Sequence, residues 1–146
     1  MKGNSLNTFS KEMLGLLLCL FREISKRESH PLAKGQVTIP QFLILETLHE
    51  SQPKKLRDLV NVLKVTPSAV TGIVERMEKD QLLKRKPDPT DRRVHWISLT
   101  PKGKKLVLLV LRQKEKTIRV MFGRLTRAER QMYLRIFKKV VCGVNH

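Results

Sequence analysis

Residues 66–79, TPSAVTGIVERMEK, decide how the rest of the chain is read. Thr66 is a strong helix N-cap, and Pro67 follows at the first helical position, where a missing N–H costs nothing. Val70, Ile73, Val74 and Met77 fall at i, i+3, i+4 and i+7, which makes one apolar stripe. Ser68, Thr71, Gly72, Glu75, Arg76 and Lys79 lie on the opposite side. These residues are short, hydroxylated or charged, and most can hydrogen-bond. A helix that enters the major groove needs such a face, with small residues near its N-terminus and polar tips for base edges. An ordinary amphipathic surface helix would carry the same stripe, so the flanking sequence has to decide between the two readings.

Upstream, Leu56, Leu59, Val60 and Leu63 mark a helix of about two turns. Lys64-Val65 leaves room only for a tight turn into Thr66. Two short helices joined this way form a helix-turn-helix. Before them, Thr38-Ile39-Pro40-Gln41 is a T-x-x-Q capping box. It opens a helix over about 39–50 with Phe42, Leu43, Leu45 and Leu48 inward, broken by Ser51-Gln52-Pro53. Residues 5–28 read as a long first helix. Leu6, Phe9, Met13, Leu16, Leu17, Leu20 and Ile24 keep a 3–4 spacing, and Leu14, Leu18 and Phe21 widen the stripe. A helix apolar on more than one side must be covered on more than one side, and in a small domain a second subunit is the expected cover. Residues 29–37 read as a loop.

Downstream, Leu82 to Lys86 reads as a strand, Pro87-Asp88-Pro89-Thr90-Asp91 as a turn, and Val94 to Leu99 as an alternating strand. Together they form a hairpin, or wing, with Arg92 and Arg93 at its tip. Trp96 points opposite Ile97 and Leu99, where covering the base of the wing is the first reading and a DNA contact the second. Thr100-Pro101 repeats the N-cap/Pro start and opens a helix over about 101–122, with Leu106, Leu109, Val110, Ile118, Met121 and Phe122 as its apolar positions. Thr126-Arg127-Ala128-Glu129 is a second capping box. It opens a last helix over about 127–142, with Met132, Tyr133, Ile136, Phe137 and Val140 on one face.

The formal net charge is +17 over 146 residues, which points to a polyanionic partner. Residues 1–53 carry 6 Lys/Arg against 5 Asp/Glu, residues 54–105 carry 14 against 6, and residues 106–146 carry 10 against 2. The excess therefore lies around and after the helix-turn-helix. Arg112, Lys114, Lys116, Arg119, Arg124, Arg127 and Arg130 form either a solvated face or a flank contact with DNA. The apolar run Met13 to Phe21 is too short to span a bilayer. With Arg22-Glu23 directly after it and no cleavage site, it is not a secretion signal either. Cys19 and Cys142 give no disulfide framework and fit a reducing cytosol. Cys19 has apolar neighbours, which predicts a packed, inert thiol rather than a redox sensor. His30, His49, His95 and His146 lack metal-ligand spacing, and no nucleotide-binding loop or catalytic triad is present. The sequence therefore predicts no enzyme, cofactor, metal site or membrane segment.

With these residues in place, the chain resembles the MarR family of winged helix-turn-helix regulators. The matching segments are TIPQFLILETL, LRDLVNVLKVTPSAVTGIVERMEKDQLLKRKPDPTDRRVHWISLTPKGKKL and LTRAERQMYLRIFKKV. The most specific of these is DPTDRR running through a strand into LTPKG. The resemblance implies a mainly α fold with a small β-hairpin wing, six helices, and dimerisation through the N- and C-terminal helices. Residues 1–146 would form a single domain, with 38–106 as the DNA-binding lobe and 5–37 and 107–146 as the dimerisation region. It further implies a cytoplasmic homodimer on a pseudo-palindromic operator in double-stranded DNA. Such a protein represses or activates transcription, with repression the first reading, and responds to a small aromatic or anionic effector. Carried over residue by residue, the DNA-binding set is Ser68, Ala69, Thr71, Gly72 and Arg76 on the recognition helix, with Asp91, Arg92 and Arg93 on the wing. Phe21, Phe42 and Leu106 are candidate lining for an effector cleft between the first, second and fifth helices. Two departures stand out. Gln81 occupies the left-handed cap where the family places Gly, at a cost of about 1 kcal/mol. The first helix of the helix-turn-helix also lacks a Ser/Thr cap. The charge alone leaves a second reading open, a non-specific architectural DNA-binding protein.

Overall fold

The computed structural model describes residues 5–27, 37–91 and 93–144. In chain order the elements are α1 (Leu6–Arg27), α2 (Ile39–Glu50), β1 (Lys54–Lys55), α3 (Leu56–Leu63), α4 (Pro67–Lys79), β2 (Leu83–Pro87), β3 (His95–Leu99), α5 (Pro101–Phe122) and α6 (Arg127–Val144). Six helices and a wing agree with the sequence reading, while the expected 29–37 loop falls almost wholly outside the described residues. One element is new. The hairpin gains a third antiparallel strand, in the order β1-β3-β2, because Lys54 and Lys55 pair with Ile97 and Trp96. Two residues are too short to show a period-2 pattern, so this strand has no signature in the sequence.

The core is built from α2, α3, α4, one face of the sheet and the first half of α5. Ile44, Leu45 and Leu48 interlock with Leu59, Val70, Val74, Met77, Ile97, Val107 and Val110, all fully buried. On α2, Ile44 rather than Leu43 is the fully buried residue; Leu43 is half-buried. On α5 the buried positions are Gly103, Val107 and Val110, whereas Leu109 is 45% exposed. A helix with apolar residues at 106, 107, 109 and 110 does not announce which two face inward.

Local hydrogen bonds explain the element boundaries. Thr38 and Gln41 close the predicted capping box on α2, with Thr38 N donating to Gln41 Oε1 at 2.9 Å. Thr126 and Glu129 do the same at α6, and these bonds lower the Glu129 pKa. At α3 the Asp58 carboxylate accepts from Lys55 N at 2.9 Å, which is the return half of a capping box; the Lys55 side chain has no acceptor for the first-turn N–H groups. The chain leaves α4 through a Schellman motif: Leu82 N donates to Met77 O and Gln81 N to Glu78 O, both at 2.9 Å. Gln81 sits at φ 61°, so the left-handed cap is kept without glycine.

The wing is fastened to the helices at its base. Thr100 Oγ1 donates to Gln81 O at 2.6 Å and accepts from Gly103 N at 3.0 Å, tying the end of α4 to the start of α5. Gly103 lies against the Leu82 carbonyl, and a Cβ there would overlap that oxygen. At the tip, the Asp88 carboxylate accepts from Thr90 N (2.8 Å), Thr90 Oγ1 (2.6 Å), Asp91 N (3.2 Å) and Trp96 Nε1 (2.8 Å). The bonds from Thr90, then those from Trp96 and Asp91, hold its carboxyl well below the ordinary range.

α1 and α6 contribute no fully buried side chain among the described residues. Leu6, Phe9, Leu14, Leu16, Leu17, Leu18 and Phe21 on α1 are exposed, as are Met132, Tyr133, Leu134, Ile136, Phe137 and Val140 on α6. Cys19 is exposed as well, which corrects the packed thiol read from its neighbours. An apolar sequence environment signals burial only where another element arrives to cover it, and among the described residues none covers Cys19.

Gly103→Ala should lower the urea midpoint by the equivalent of about 1–3 kcal/mol, because the opposing atom is backbone. For Asp88, the depressed folded-state pKa means its stabilisation is present above about pH 4, the unfolded value, and is lost as pH falls below it. Wild type should therefore exceed Asp88→Asn in urea midpoint at pH 7, and the two should converge on acidification below pH 4.

Candidate nucleic-acid interface

α4 is oriented by the residues it buries. Val70, Val74 and Met77 are fully buried and Ile73 packs against the same cluster, so the opposite face must look outward. Ser68, Ala69 and Arg76 are exposed, and Thr71 and Gly72 are half-exposed beside them. Thr66 Oγ1 accepts from Ala69 N at 3.3 Å and lies 3.2 Å from Ser68 Oγ. Thr71 Oγ1 donates to Pro67 O at 2.9 Å, and Arg76 Nε to Gly72 O at 3.2 Å. In the free chain these polar tips are therefore held on their own backbone, and the remaining guanidinium nitrogens of Arg76 lie on an exposed side chain.

Gly72 is informative because the fold does not need it. A Cβ there would meet open space. A mid-helix glycine costs about 1 kcal/mol relative to alanine. With no intramolecular reason for the missing side chain, close approach by something outside the chain is the physical account that remains.

The wing stands beside this helix. Arg85 on β2 shares the sheet face of Leu83 and Ile97, and its Nε lies 3.0 Å from Glu78 Oε2 near the end of α4. Nε and Nη2 have no aligned acceptor, so this is a charge contact rather than a hydrogen bond. It sets β2 against the C-terminal turn of α4, a link the sequence did not reveal because its two residues belong to different elements. At the tip, Asp91 Oδ1 accepts from Arg93 N at 3.0 Å, and Arg93 is exposed. Asp91 thus shapes the backbone under Arg93, but Asp88 gathers more of the turn. Its central place could have been suspected from Pro87-Asp88-Pro89-Thr90, an Asx-turn sequence. Arg92 lies outside the described residues.

The three proposed effector-lining residues do not line one cavity. Phe42 is in the core, with the Lys114 ammonium 5.3 Å from its ring centroid, and Leu106 packs on that core. Phe21 is 66% exposed and instead lines a cleft of about 480 Å³ between α1, α5 and α6. Leu17, Leu20, Ile118, Phe122 and Phe137 are among its other walls.

The fold and surface can now be set beside known proteins. Residues 37–95 match the family model described as "MarR family". A Bacillus subtilis protein, the uncharacterized HTH-type transcriptional regulator YsmB, is 32% identical over 110 residues, covering 75% of this chain and 73% of that one. The structure of YusO from Bacillus subtilis superposes with a TM-score of 0.77 at 27% identity, covering 94% of this chain and 97% of that chain. That of Bordetella bronchiseptica BpsR, whose DNA binding is regulated by 6-hydroxynicotinic acid, superposes at 0.65 and 27% identity, over 89% and 98% of the two chains. A helix-turn-helix seated by its apolar stripe, a three-stranded wing with an exposed arginine, and these likenesses agree, and the chain belongs to the MarR family of winged helix-turn-helix, DNA-binding transcriptional regulators.

Proposed function

We propose that the chain works as a homodimer that recognises a pseudo-palindromic operator, represses transcription from it, and releases it when a small aromatic or anionic effector binds. One α4 enters the major groove of each half-site through Ser68, Ala69, Thr71, Gly72 and Arg76. Arg93, braced by Asp91, reaches the neighbouring minor groove, where narrow A·T-rich stretches attract arginine. Arg92 supplies a further phosphate contact at the wing tip. The observation that carries this reading is the outward polar face of α4, with a glycine at its centre that the fold does not require.

Pairing is supported by the large apolar side chains exposed on α1 and α6, since contiguous exposed apolar surface marks interaction sites. The effector reading is supported by the BpsR likeness and by the cleft that Phe21 lines. Phe42 and Leu106 keep only an indirect part in it: Leu106 seats α5 on the core cluster that contains Phe42.

Selection from a random DNA pool at two salt concentrations tests the DNA reading directly. An inverted repeat with half-sites about 10 bp apart, and a log–log salt slope near −0.9 per phosphate neutralised, are expected. Equal affinity for all sequences would leave only the architectural alternative. Arg93→Ala should weaken operator binding roughly 10-fold to 100-fold, in line with about 1–3 kcal/mol for a groove contact. Gly72→Ala should split two properties. The urea midpoint should rise, as helix propensity dictates, while operator affinity falls. Leu17→Glu combined with Phe137→Glu should give a monomer by sedimentation, with the lobe still folded and operator binding lost.

A further inference from the structure

Residues 106–146 carry 10 Lys/Arg against 2 Asp/Glu, yet the surface assigned to DNA lies on α4 and the wing. Both acids are engaged. Glu115 pairs with Arg119 at 2.6 Å, and Glu129 accepts from Thr126 N at 2.7 Å and Thr126 Oγ1 at 2.8 Å. The cations left over are not scattered. At about 100° per residue, Arg127, Arg135, Lys138 and Lys139 fall within one arc of about 120° on α6, and Tyr133, Ile136, Phe137 and Val140 occupy the opposite arc. All four cations are exposed, and among the described residues none has a carboxylate partner.

Three observations set this face apart from an ordinary solvated one. First, the fold gains nothing from it. Arg135 stands at i,i+3 to Lys138 and at i,i+4 to Lys139, and like charges at those spacings weaken a helix. Second, it is continuous. The stripe from Arg127 to Lys139 is about 18 Å long, a length over which duplex DNA presents about ten phosphate charges. Third, it is remote from α4. α6 docks on the far end of α5, where the Phe122 and Tyr133 ring centroids are 5.0 Å apart and Ile118 walls the shared cleft. Ile118 lies about 22 Å of helix beyond Gly103, which rests on the lobe. Ala128, Gln131 and Cys142 fill the rest of the basic arc, so it offers charge with no large apolar side chain to insert. Such a face suits the rigid phosphate rows of a duplex. A bilayer would also require apolar burial, and the cleft residues Tyr133, Leu134 and Phe137 are turned towards α1 and α5.

We propose that the basic face of α6 is a second, sequence-blind site for double-stranded DNA, distinct from the surface of α4 and the wing. Arg127, Arg135, Lys138 and Lys139 each neutralise a backbone phosphate, and none reads a base. One molecule then holds a remote duplex on α6 while α4 and the wing hold another, so the protein bridges DNA segments. Binding at α6 stands by itself. That the other duplex is an operator rests on the function proposed above.

Bead capture with the full chain tests the site. A biotinylated duplex of arbitrary sequence is immobilised, and retention of a second, fluorescent duplex is followed against protein concentration. Arg127→Gln, Arg135→Gln, Lys138→Gln and Lys139→Gln together should reduce retention about 10-fold and make the log–log salt slope of non-specific binding shallower by about 3–4. Affinity for a single short duplex bearing the selected operator should stay within about twofold. The four side chains are exposed, so the urea midpoint should be kept. Arg127→Lys with Arg135→Lys should bridge like wild type, because this contact uses charge rather than the guanidinium fork. Undiminished retention by the Gln variant would overturn the site. An equal loss on the single operator duplex would overturn it too, by placing α6 on the DNA that α4 already holds. Binding of phosphatidylglycerol vesicles through these residues, without duplex retention, would replace it with a membrane partner. Bridging that needs the four cations, in a protein with no operator preference, would uphold the site and defeat the operator reading instead.

Discussion

Burial of Val70, Val74 and Met77 against Leu45, Leu48 and Leu59 is the contact from which the rest of the lobe follows. Three fully buried side chains on a 13-residue helix fix its rotation about its own axis. Helical geometry then leaves no choice about where residues 68, 71, 72 and 76 point. Function on this surface is thus set by hydrophobic packing that touches no ligand. Truncating one of these side chains would cost a few kcal/mol through the cavity left behind, and it would also free the helix to turn.

The wing depends on polar rather than apolar anchoring. Among the described residues, Leu83, Ile97 and Leu99 are the buried apolar side chains of its strands, and beyond them the hairpin is exposed or half-exposed. Its angle is set from below by Thr100 and by the Arg85–Glu78 contact, and its tip is folded by Asp88. Exposed single ion pairs are worth little. Several such contacts converging on one hairpin nevertheless restrict it to one direction, which a groove-seeking arginine at its end requires.

Much of this was legible in the sequence, for identifiable reasons. Helix starts at Thr38, Thr66, Thr100 and Thr126 were written as N-cap residues with Pro or Gln/Glu partners, so four boundaries fell where the local chemistry put them. The stripe of α4 and its polar face were equally plain. What escaped notice was information held between elements. β1 exists only because Trp96 and Ile97 pair with it. The choice of Ile44 over Leu43, or of Val107 over Leu109, depends on which neighbour arrives. Cys19 shows the same limit from the other side: its sequence neighbours are apolar, but among the described residues nothing covers Cys19 itself. At the site, the carried-over Asp91 accepts a hydrogen bond from Arg93 N. Asp88 was legible as a turn residue from Pro87-Asp88-Pro89-Thr90, but the bond it accepts from Trp96, eight residues on, depends on the folded hairpin.

The two halves of the chain place opposite demands on their surroundings, and those demands fit together. The lobe from α2 to the start of α5 satisfies its own apolar residues and leaves a basic polar face outward. α1 and α6 leave their apolar residues unsatisfied. α5 is the rigid member between them, 22 residues or about 33 Å of helix, buried at one end and half-covered at the other. If the outer helices are covered by a second copy, the apolar surface that must be hidden also fixes the separation of two recognition helices. A single lobe would read one short half-site weakly. Two lobes held at a set distance bind with the gain that effective concentration gives, and lose it when that distance changes. On that reading, the residues farthest from DNA determine which spacing of half-sites is accepted. A compound entering the α1–α5–α6 cleft would then act on affinity without approaching a base pair.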